Sequence, residues 1–315
     1  MAGVFYFVIP CYNEEEALPE TSVKIIEKLK NLIDSGMISD QSRAMFVDDG
    51  SADKTWDFIS ELCDSTEFAS GVKLSRNYGH QNALMAGLMT ARIKADMTVS
   101  IDADLQDDLN VVDDMISKYD EGCDIVLGVR KSRGTDTFAK RTTARGYYKL
   151  LSGLGCDIVE DHADFRLMSR RAMDELSKFE EYEPFLRGIV PMIGLKTDKV
   201  YYDRFERTAG ETKYPLKKML ALAFNGITSL SIKPIRLILG FGIIMLAIAA
   251  ALLIFSIVQL CFGYTMLNWK IITISVWAVG GFVVSAIGII GEYIGRAYIE
   301  TKKRPRYIIE NVKEK

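Results

Sequence analysis

Two runs without a single charged residue set the outline of this chain. Residues 237–262 form one of 26 residues, and residues 271–290 form one of 20. As helices they would extend ~39 Å and ~30 Å, against a hydrocarbon thickness of ~30 Å. The longer one must tilt or emerge. The sequence therefore predicts two membrane-spanning helices, 237–262 and 271–291, joined by a short link, 263–270. Lys213, Lys217, Lys218, Lys233 and Arg236 precede the pair, and Arg296, Lys302, Lys303, Arg304 and Arg306 follow it. Positive charge at both outer ends predicts cytoplasmic termini and an external link, with Tyr264 and Trp269 suited to the interface there.

The rest of the chain reads differently. From residue 233 onward there are 10 Lys and Arg against 4 Asp and Glu; before it there are 29 against 38. An acidic, soluble-looking part is joined to a basic, apolar one. The 315 residues suffice for one large α/β domain or two modest ones. A hydrophobic content of 49% and a net charge of -3 exclude a disordered chain and a nucleic-acid coat. The five Cys contain no C-x-x-C pair, so free thiols in a reducing compartment are expected rather than a zinc ribbon or a redox dithiol. Residues 4–9 are apolar but lack a basic lead, and they read as a buried strand rather than a signal peptide. Within 213–236, Leu216, Met219, Leu220, Ala223, Phe224, Ile227 and Leu230 recur at helical spacing. That stretch fits an amphipathic helix lying on the membrane or a solvent-covered helix of the domain. The basic tail, 292–315, is expected on the cytoplasmic side, lying on the membrane surface from Thr301 onward.

Residues 1–212 alternate strand and helix patterns. Strands are predicted at 4–10, 43–47, 71–74, 97–101 and 125–129, and helices at 14–32, from 53, at 81–93 and at 111–119. This order predicts an α/β fold with a mostly parallel sheet and helices on both faces. Ligands of such sheets sit beyond the carboxyl ends of the strands. Three strand ends carry unusual polar sets: Pro10, Tyr12, Asn13 and Glu14; Asp48, Asp49 and Ser51; Asp102, Asp104 and Gln106. One Asp pair is read as a helix cap or turn. Three sets converging on one edge repel each other unless a cation or hydrogen-bond donors are present. Asp-x-Asp in a loop suits Mg²⁺ or Mn²⁺ shared with substrate phosphates. The glycine-rich dinucleotide and P-loop cradles are absent, and so are the zincin and α/β-hydrolase motifs.

Residues 9–15 (IPCYNEE), 47–51 (VDDGS) and 102–107 (DADLQD) resemble the motifs of family 2 glycosyltransferases with the Rossmann-like GT-A fold, and more narrowly those of the polyprenyl-phosphate hexosyltransferases. Residues 74–80 (LSRNYGH), 164–168 (DFRLM) and 207–213 (RTAGETK) extend the match, and two C-terminal spans complete it. The resemblance implies a cytoplasmic GT-A domain held at the inner face of a cell membrane, a UDP-sugar donor ahead of a GDP-sugar, and a homo-oligomer, a tetramer by analogy. It implies that Pro10, Tyr12, Glu14 and Asp49 border the nucleoside. Asp102, Ala103 and Gln106 would line the sugar diphosphate, with Asp104 and Asp102 on the metal. Arg207 and Lys213 would grip phosphates, Arg130 would meet the lipid phosphate, and Asp164 would be the catalytic carboxylate. Ala163 stands where the family usually has Gly. The implied reaction moves a hexose, glucose first among the candidates, onto polyprenyl phosphate with inversion. The attacking phosphate is largely dianionic at neutral pH, its second pKa being ~6, so it needs no strong base. Asp164 is therefore expected to orient an acceptor-side group, through Arg or metal, as much as to remove a proton. His80 either touches substrate or holds structure.

Two other readings are weaker. A processive polysaccharide synthase would carry Q-x-x-R-W, which is absent. A non-enzymatic sugar-nucleotide sensor would have no need of Asp102, Asp104, Asp164 and Arg207 together.

Overall fold

The structure, a computed structural model, describes residues 2–130, 162–182, 184–203, 258 and 269–315, without the side chains at 162, 163 and several positions between 269 and 296. The chain divides into two compact units. One holds the sheet together with Pro305–Lys315; the other holds a long helix.

The strands are β1 (Phe5–Cys11), β2 (Arg43–Asp48), β3 (Ala69–Leu74), β4 (Met97–Ser100), β5 (Ile125–Arg130), β6 (His162–Ser169), β7 (Thr197–Tyr202) and β8 (Ile309–Glu314). They lie side by side in the order β7-β5-β6-β4-β1-β2-β3-β8. The helices of this unit are α1 (Leu18–Asp34), α2 (Thr55–Ser65), α3 (His80–Ala91), α4 (Val111–Asp120), α5 (Arg170–Leu176) and α6 (Leu186–Met192).

Strand alternation builds two cores, one on each face. Phe5, Phe7 and Ile9 of β1 point to the side of α1, α2 and α4, where they meet Ile25, Leu29, Ile59 and Met115. Tyr6 and Val8 point to the side of α3, α5 and α6, among Leu84, Met173 and Ile189. Phe5 and Phe7 also stack edge to face, their centroids 4.7 Å apart. Burying each such ring is worth about 1.5–3 kcal/mol. On the second face α3 lies very close to the sheet: a Cβ on Gly87 would come within 2.4 Å of Val8 Cγ1.

The five expected strands and four expected helices are all present, but the sheet is mixed. β1 runs parallel to β2 and β4, β2 to β3, and β5 to β7. β6 is antiparallel to both neighbours, β4 and β5. It carries Asp164 and Arg166 in its interior, so no apolar run announced it. β7 alternates exposed and buried residues at an edge. The helix expected from residue 14 begins at Leu18, because Pro19 fixes the first turn and the Glu14 carbonyl closes a turn with the Ala17 and Leu18 N–H groups. The basic tail contains a strand that the sequence pattern did not announce, β8. It adds antiparallel to β3, and Tyr6 and Lys94 both bind the Glu314 carboxylate. The reason is the unpaired β3 edge, which offers backbone partners that a sequence pattern does not show.

The second unit contains α7 (Trp269–Thr301), 33 residues long. Ile272, Val276, Val279, Val283, Ile287, Ile290, Ile294 and Tyr298 are exposed along it. At 100° per residue they share one face about 100° wide. The expected span 237–262 apart from residue 258, the link 263–268 and the juxtamembrane stretch 213–236 lie outside the described residues. Among what is described, no helix is long and apolar enough to cross a membrane.

Cys11, Cys63 and Cys123 are free and buried. Burial is the main cause that pushes the Cys63 thiol up to about 11. At pH 8 its thiolate fraction should be about 100-fold below that of an ordinary thiol. Iodoacetamide labelling read by peptide mass spectrometry should leave Cys63 unmodified in the native protein and modified in guanidinium; equal labelling in both would contradict the buried site.

Candidate active site at the carboxyl edge of the sheet

The loops after β1 and β2 brace each other. Asn13 N–H donates to Ser51 Oγ at 3.0 Å, and Asn13 Oδ1 accepts from Ala52 N–H at 2.9 Å. Glu14 N–H donates to Thr55 Oγ1 at 2.9 Å. Asn13 sits at φ 52°, a backbone conformation that Asn tolerates better than most residues. Pro10 is buried in β1, while Tyr12 beside it is 46% exposed.

Asp49 is buried, and both of its oxygens are engaged. Oδ1 accepts from Tyr78 N–H at 2.7 Å and Oδ2 from Gly79 N–H at 2.9 Å, just ahead of α3. Burial pushes its carboxyl up, and those two N–H groups hold it back only in part. The residue expected on base or ribose thus has a structural task, seating the loop that leads into α3. Gly50 makes this possible: at φ 65° it passes so close that a Cβ would lie 2.3 Å from the Arg76 carbonyl carbon.

From that loop α3 delivers His80 and Gln81 to the middle of the edge. His80 Nε2 lies 3.6 Å from Asp102 Oδ1 and 3.6 Å from Asp164 Oδ2. Asp102 and Asp164 meet because β6 is antiparallel. Ser100 pairs with Arg166, so continuing the register brings residue 102 opposite 164. Burial raises the carboxyl of Asp102 most; His80 pulls it down, and the nearby charges of Asp164, Asp107 and Asp104 raise it further. Burial alone would lower the pKa of His80, but its bond to Asp164 and the charges of Asp102 and Asp164 outweigh this and raise it.

Asp164 is held differently. Burial would raise its carboxyl, yet Arg187, His80 and Arg166 together bring it well below the ordinary carboxylate range. Arg166 Nη2 donates to Oδ1 at 2.8 Å and Arg187 Nη2 to Oδ2 at 3.0 Å. Gln81 Nε2 adds a bond to Oδ2 at 3.3 Å. A group this acidic stays ionised throughout the neutral range and is a weak proton acceptor.

The loop after β4 carries the remaining acids. Ala103 is buried, and its carbonyl accepts from Thr21 Oγ1 at 2.7 Å. Asp104 Oδ1 accepts from Gln106 N–H at 3.4 Å across Leu105, which sits at φ 46°. Arg130, at the end of β5, is held by Asp107 and by Tyr202 of β7: Nη2 lies 3.4 Å from Asp107 Oδ1, and Nε lies 3.3 Å from Tyr202 Oη.

Asp102 and Asp104 fit a divalent cation shared with a substrate. Burial first, and then the charges of Asp164, Asp107 and Asp104, raise the Asp102 carboxyl, and a cation there would offset that repulsion. Among the described residues no group of three donors could hold an ion unaided. Water and diphosphate oxygens would have to complete the shell, the usual arrangement for Mg²⁺.

Of the expected residues, Pro10, Tyr12, Glu14, Asp49, Asp102, Ala103, Asp104, Gln106, Arg130 and Asp164 all fall on this one edge or its loops. Arg207 and Lys213 lie outside the described residues. Sequence reasoning missed Gln81, Arg166, Arg187, Asp107 and Tyr202 as working parts. Arg166 left a trace, a charge inside a strand that demands a partner; Arg187 left none.

The mixed α/β sheet gathers acids and arginines at its carboxyl edge. The chain belongs to glycosyl transferase family 2, whose model matches residues 6–177, and it is a glycosyltransferase. It is 50% identical to an uncharacterized glycosyltransferase of Bacillus subtilis (strain 168), YkoT, over 98% of this chain and 91% of that protein. It is 39% identical to the prophage bactoprenol glucosyl transferase homolog of Escherichia coli (strain K12), over 98% of both. It is 37% identical to the bactoprenol glucosyl transferase of Shigella phage SfV, again over 98% of both.

Proposed function

We propose that this enzyme transfers a hexose, glucose from UDP-glucose first among the candidates, to polyprenyl phosphate at the cytoplasmic face of a cell membrane, with inversion. The observation that carries the reading is the meeting of Asp102, Asp104, Asp107 and Asp164 at one edge, with His80 and two arginines among them. The full-length likeness to proteins named for bactoprenol glucosyl transfer supports the acceptor.

In this reading the Tyr12 ring and the loop seated by Asp49 border the nucleoside. Asp102 and Asp104 are the residues that would hold Mg²⁺ or Mn²⁺. When bound, that ion stabilises the charge gathering on the leaving group. Asp102 and Gln106 keep the sugar beside it, and Arg130, fixed by Asp107 and Tyr202, faces the acceptor. The acceptor phosphate attacks C1 in line, the C1–O bond to the diphosphate breaks, and the nucleoside diphosphate leaves with the electron pair. No proton needs to be taken from a dianionic nucleophile. Arg207 and Lys213 belong to the same proposal as phosphate ligands, and so do the two spans, the membrane-lying helix before them and the homo-oligomer. The apolar face of α7 supports burial in lipid, since a stripe of that length is unfavourable in water.

Membranes containing the protein, given labelled UDP-glucose, Mn²⁺ and undecaprenyl phosphate, should move label into an organic-soluble product cleaved by mild acid. EDTA should stop this, and Mg²⁺ or Mn²⁺ should restore it. Label entering no lipid from UDP-glucose, GDP-mannose, UDP-N-acetylglucosamine or an aminoarabinose donor would overturn the reading.

A further inference from the structure

Asp102 and Asp164 stand opposite each other, but they are not equally open. The side chains of His80 and Asp102 are 40% and 39% exposed, whereas that of Asp164 is 6% exposed. Asp164 is enclosed by Arg166, Gln81 and Arg187, each bonded to it. Both ends of the Gln81 amide are engaged, Nε2 with Asp164 and Oε1 with the Leu186 N–H at 3.2 Å. A molecule reaching the middle of the edge therefore meets His80 and Asp102 before Asp164.

The His80 ring is placed by the backbone that precedes it. His80 is the first residue of α3 and follows Gly79, which sits at φ 90°, a conformation that a side chain would strain. Asp49 seats the same turn through the N–H groups of Tyr78 and Gly79. Nε2 then lies 3.6 Å from Asp102 Oδ1 and 3.6 Å from Asp164 Oδ2. Facing two carboxylates, this nitrogen carries a proton whether the ring is charged or neutral. One N–H cannot donate fully to two acceptors, and both distances exceed the ~2.7–3.2 Å of a full hydrogen bond.

The place of this pair in the sheet says what it meets. In the transfer reaction the hexose lies between the leaving diphosphate and the attacking phosphate. Asp102, just after β4, belongs to the diphosphate side, and Asp164 stands on β6, the neighbouring strand toward Arg130. His80 reaches both from α3.

We propose that His80 contacts a hydroxyl of the transferred hexose and so helps set which sugar is accepted: Nε2–H donates to the hydroxyl oxygen, and the hydroxyl donates to Asp102. This rests on the transfer reaction proposed above. A neutral, hydroxyl-rich ring suits the pair better than a phosphate does, since a carboxylate repels an anion but accepts from a hydroxyl. A site built to bond a hydroxyl rejects the analogue that lacks it, because its own polar groups are left unpaired.

Steady-state kinetics with the detergent-solubilised full chain test this, using undecaprenyl phosphate and whichever labelled donor the parent enzyme uses. His80→Ala should lower kcat/KM for the donor about 30–100-fold. The Ki of the free nucleoside diphosphate and the KM of undecaprenyl phosphate should stay within about threefold. His80→Gln should recover part of the loss, because it keeps an N–H donor. Donors with single hydroxyls removed from the hexose read the contact itself. In the parent enzyme the donor lacking the contacted hydroxyl should lose about 30–100-fold, and His80→Ala should add less than about threefold to that loss. The other deoxy donors should suffer in His80→Ala as much as the intact donor does.

An unchanged donor kcat/KM in His80→Ala overturns the inference. So does an equal weakening of the free nucleoside diphosphate, which places His80 on the nucleotide, or a change confined to the acceptor KM, which places it on the lipid phosphate. Losses that add in full for every deoxy donor also overturn it, since the ring then serves no single hydroxyl. Far-ultraviolet circular dichroism reports whether each variant folds, and the glutamine variant carries the same comparison if the alanine variant does not. A parent enzyme with no lipid-linked product defeats the transfer reading itself, a result distinct from any of these.

Discussion

Asp104→Asn should lower the rate of sugar transfer by about 10²–10³-fold with the protein still folded, the scale for removing one group that stabilises charge developing in a transition state. Asp104 stands on the loop after β4, beside an Asp102 already surrounded by acids. The loss should fall mainly on kcat, because the charge on the diphosphate grows only as the C1–O bond breaks. The apparent affinity for Mn²⁺ should weaken in parallel, measured as the concentration giving half-maximal rate. A rate within about threefold of the parent at saturating Mn²⁺ would remove Asp104 from the metal role. Asp102→Asn serves as the partner experiment. It should cost as much activity but also disturb His80, which Asp102 shares with Asp164.

The second large effect is expected at Gly50, where no chemistry occurs. Gly50→Ala places a methyl group 2.3 Å from the Arg76 carbonyl carbon and 2.6 Å from Asn77 N, both backbone atoms that cannot rotate away. The positive φ adds about 1–2 kcal/mol of strain, and overpacking adds about 1–3 kcal/mol. For a chain of this size each kcal/mol lowers Tm by about 2–4 °C, so a fall of about 5–15 °C is expected. The loop that must move carries Tyr78 and Gly79, whose N–H groups Asp49 accepts. Donor KM should therefore rise along with the loss of stability. Gly50→Asn separates the two causes, since Asn tolerates the backbone conformation but still brings a Cβ. If crowding dominates, Asn should be as damaging as Ala. A Gly50→Ala protein melting within about 2 °C of the parent would show that the loop yields at little cost.

Acid sensitivity should follow Asp164 on the low side. Its folded-state pKa is depressed, so its pairing with the two arginines is fully present above the unfolded carboxylate value of about 3.9. That contribution is lost as pH falls through the lower folded value.

Much of this protein was legible before folding was considered. The strand-end acids could be read because a parallel strand that must be buried on both faces is a compact apolar run, and whatever polar group follows it stands at the carboxyl edge. Residues 4–10, 43–47 and 97–101 gave that signal, and Asp49, Asp102 and Asp104 came with it. β8 gave none, since its pairing with β3 depends on an edge about 240 residues away in the chain. Asp164 could be quoted from a motif, but not its neighbours.

The sequence by itself determined the α/β class, the acids at the strand ends and the long uncharged stretches, because each depends on the spacing of residues near one another in the chain. Only the tertiary structure decided that β6 runs antiparallel, and so brings Asp164 opposite Asp102. Only it decided that Asp49 is engaged with the loop before α3, and that Arg166 and Arg187 close on one carboxylate. Those facts depend on strand direction and on side chains far apart in sequence, and charges that meet across such distances leave no periodic trace.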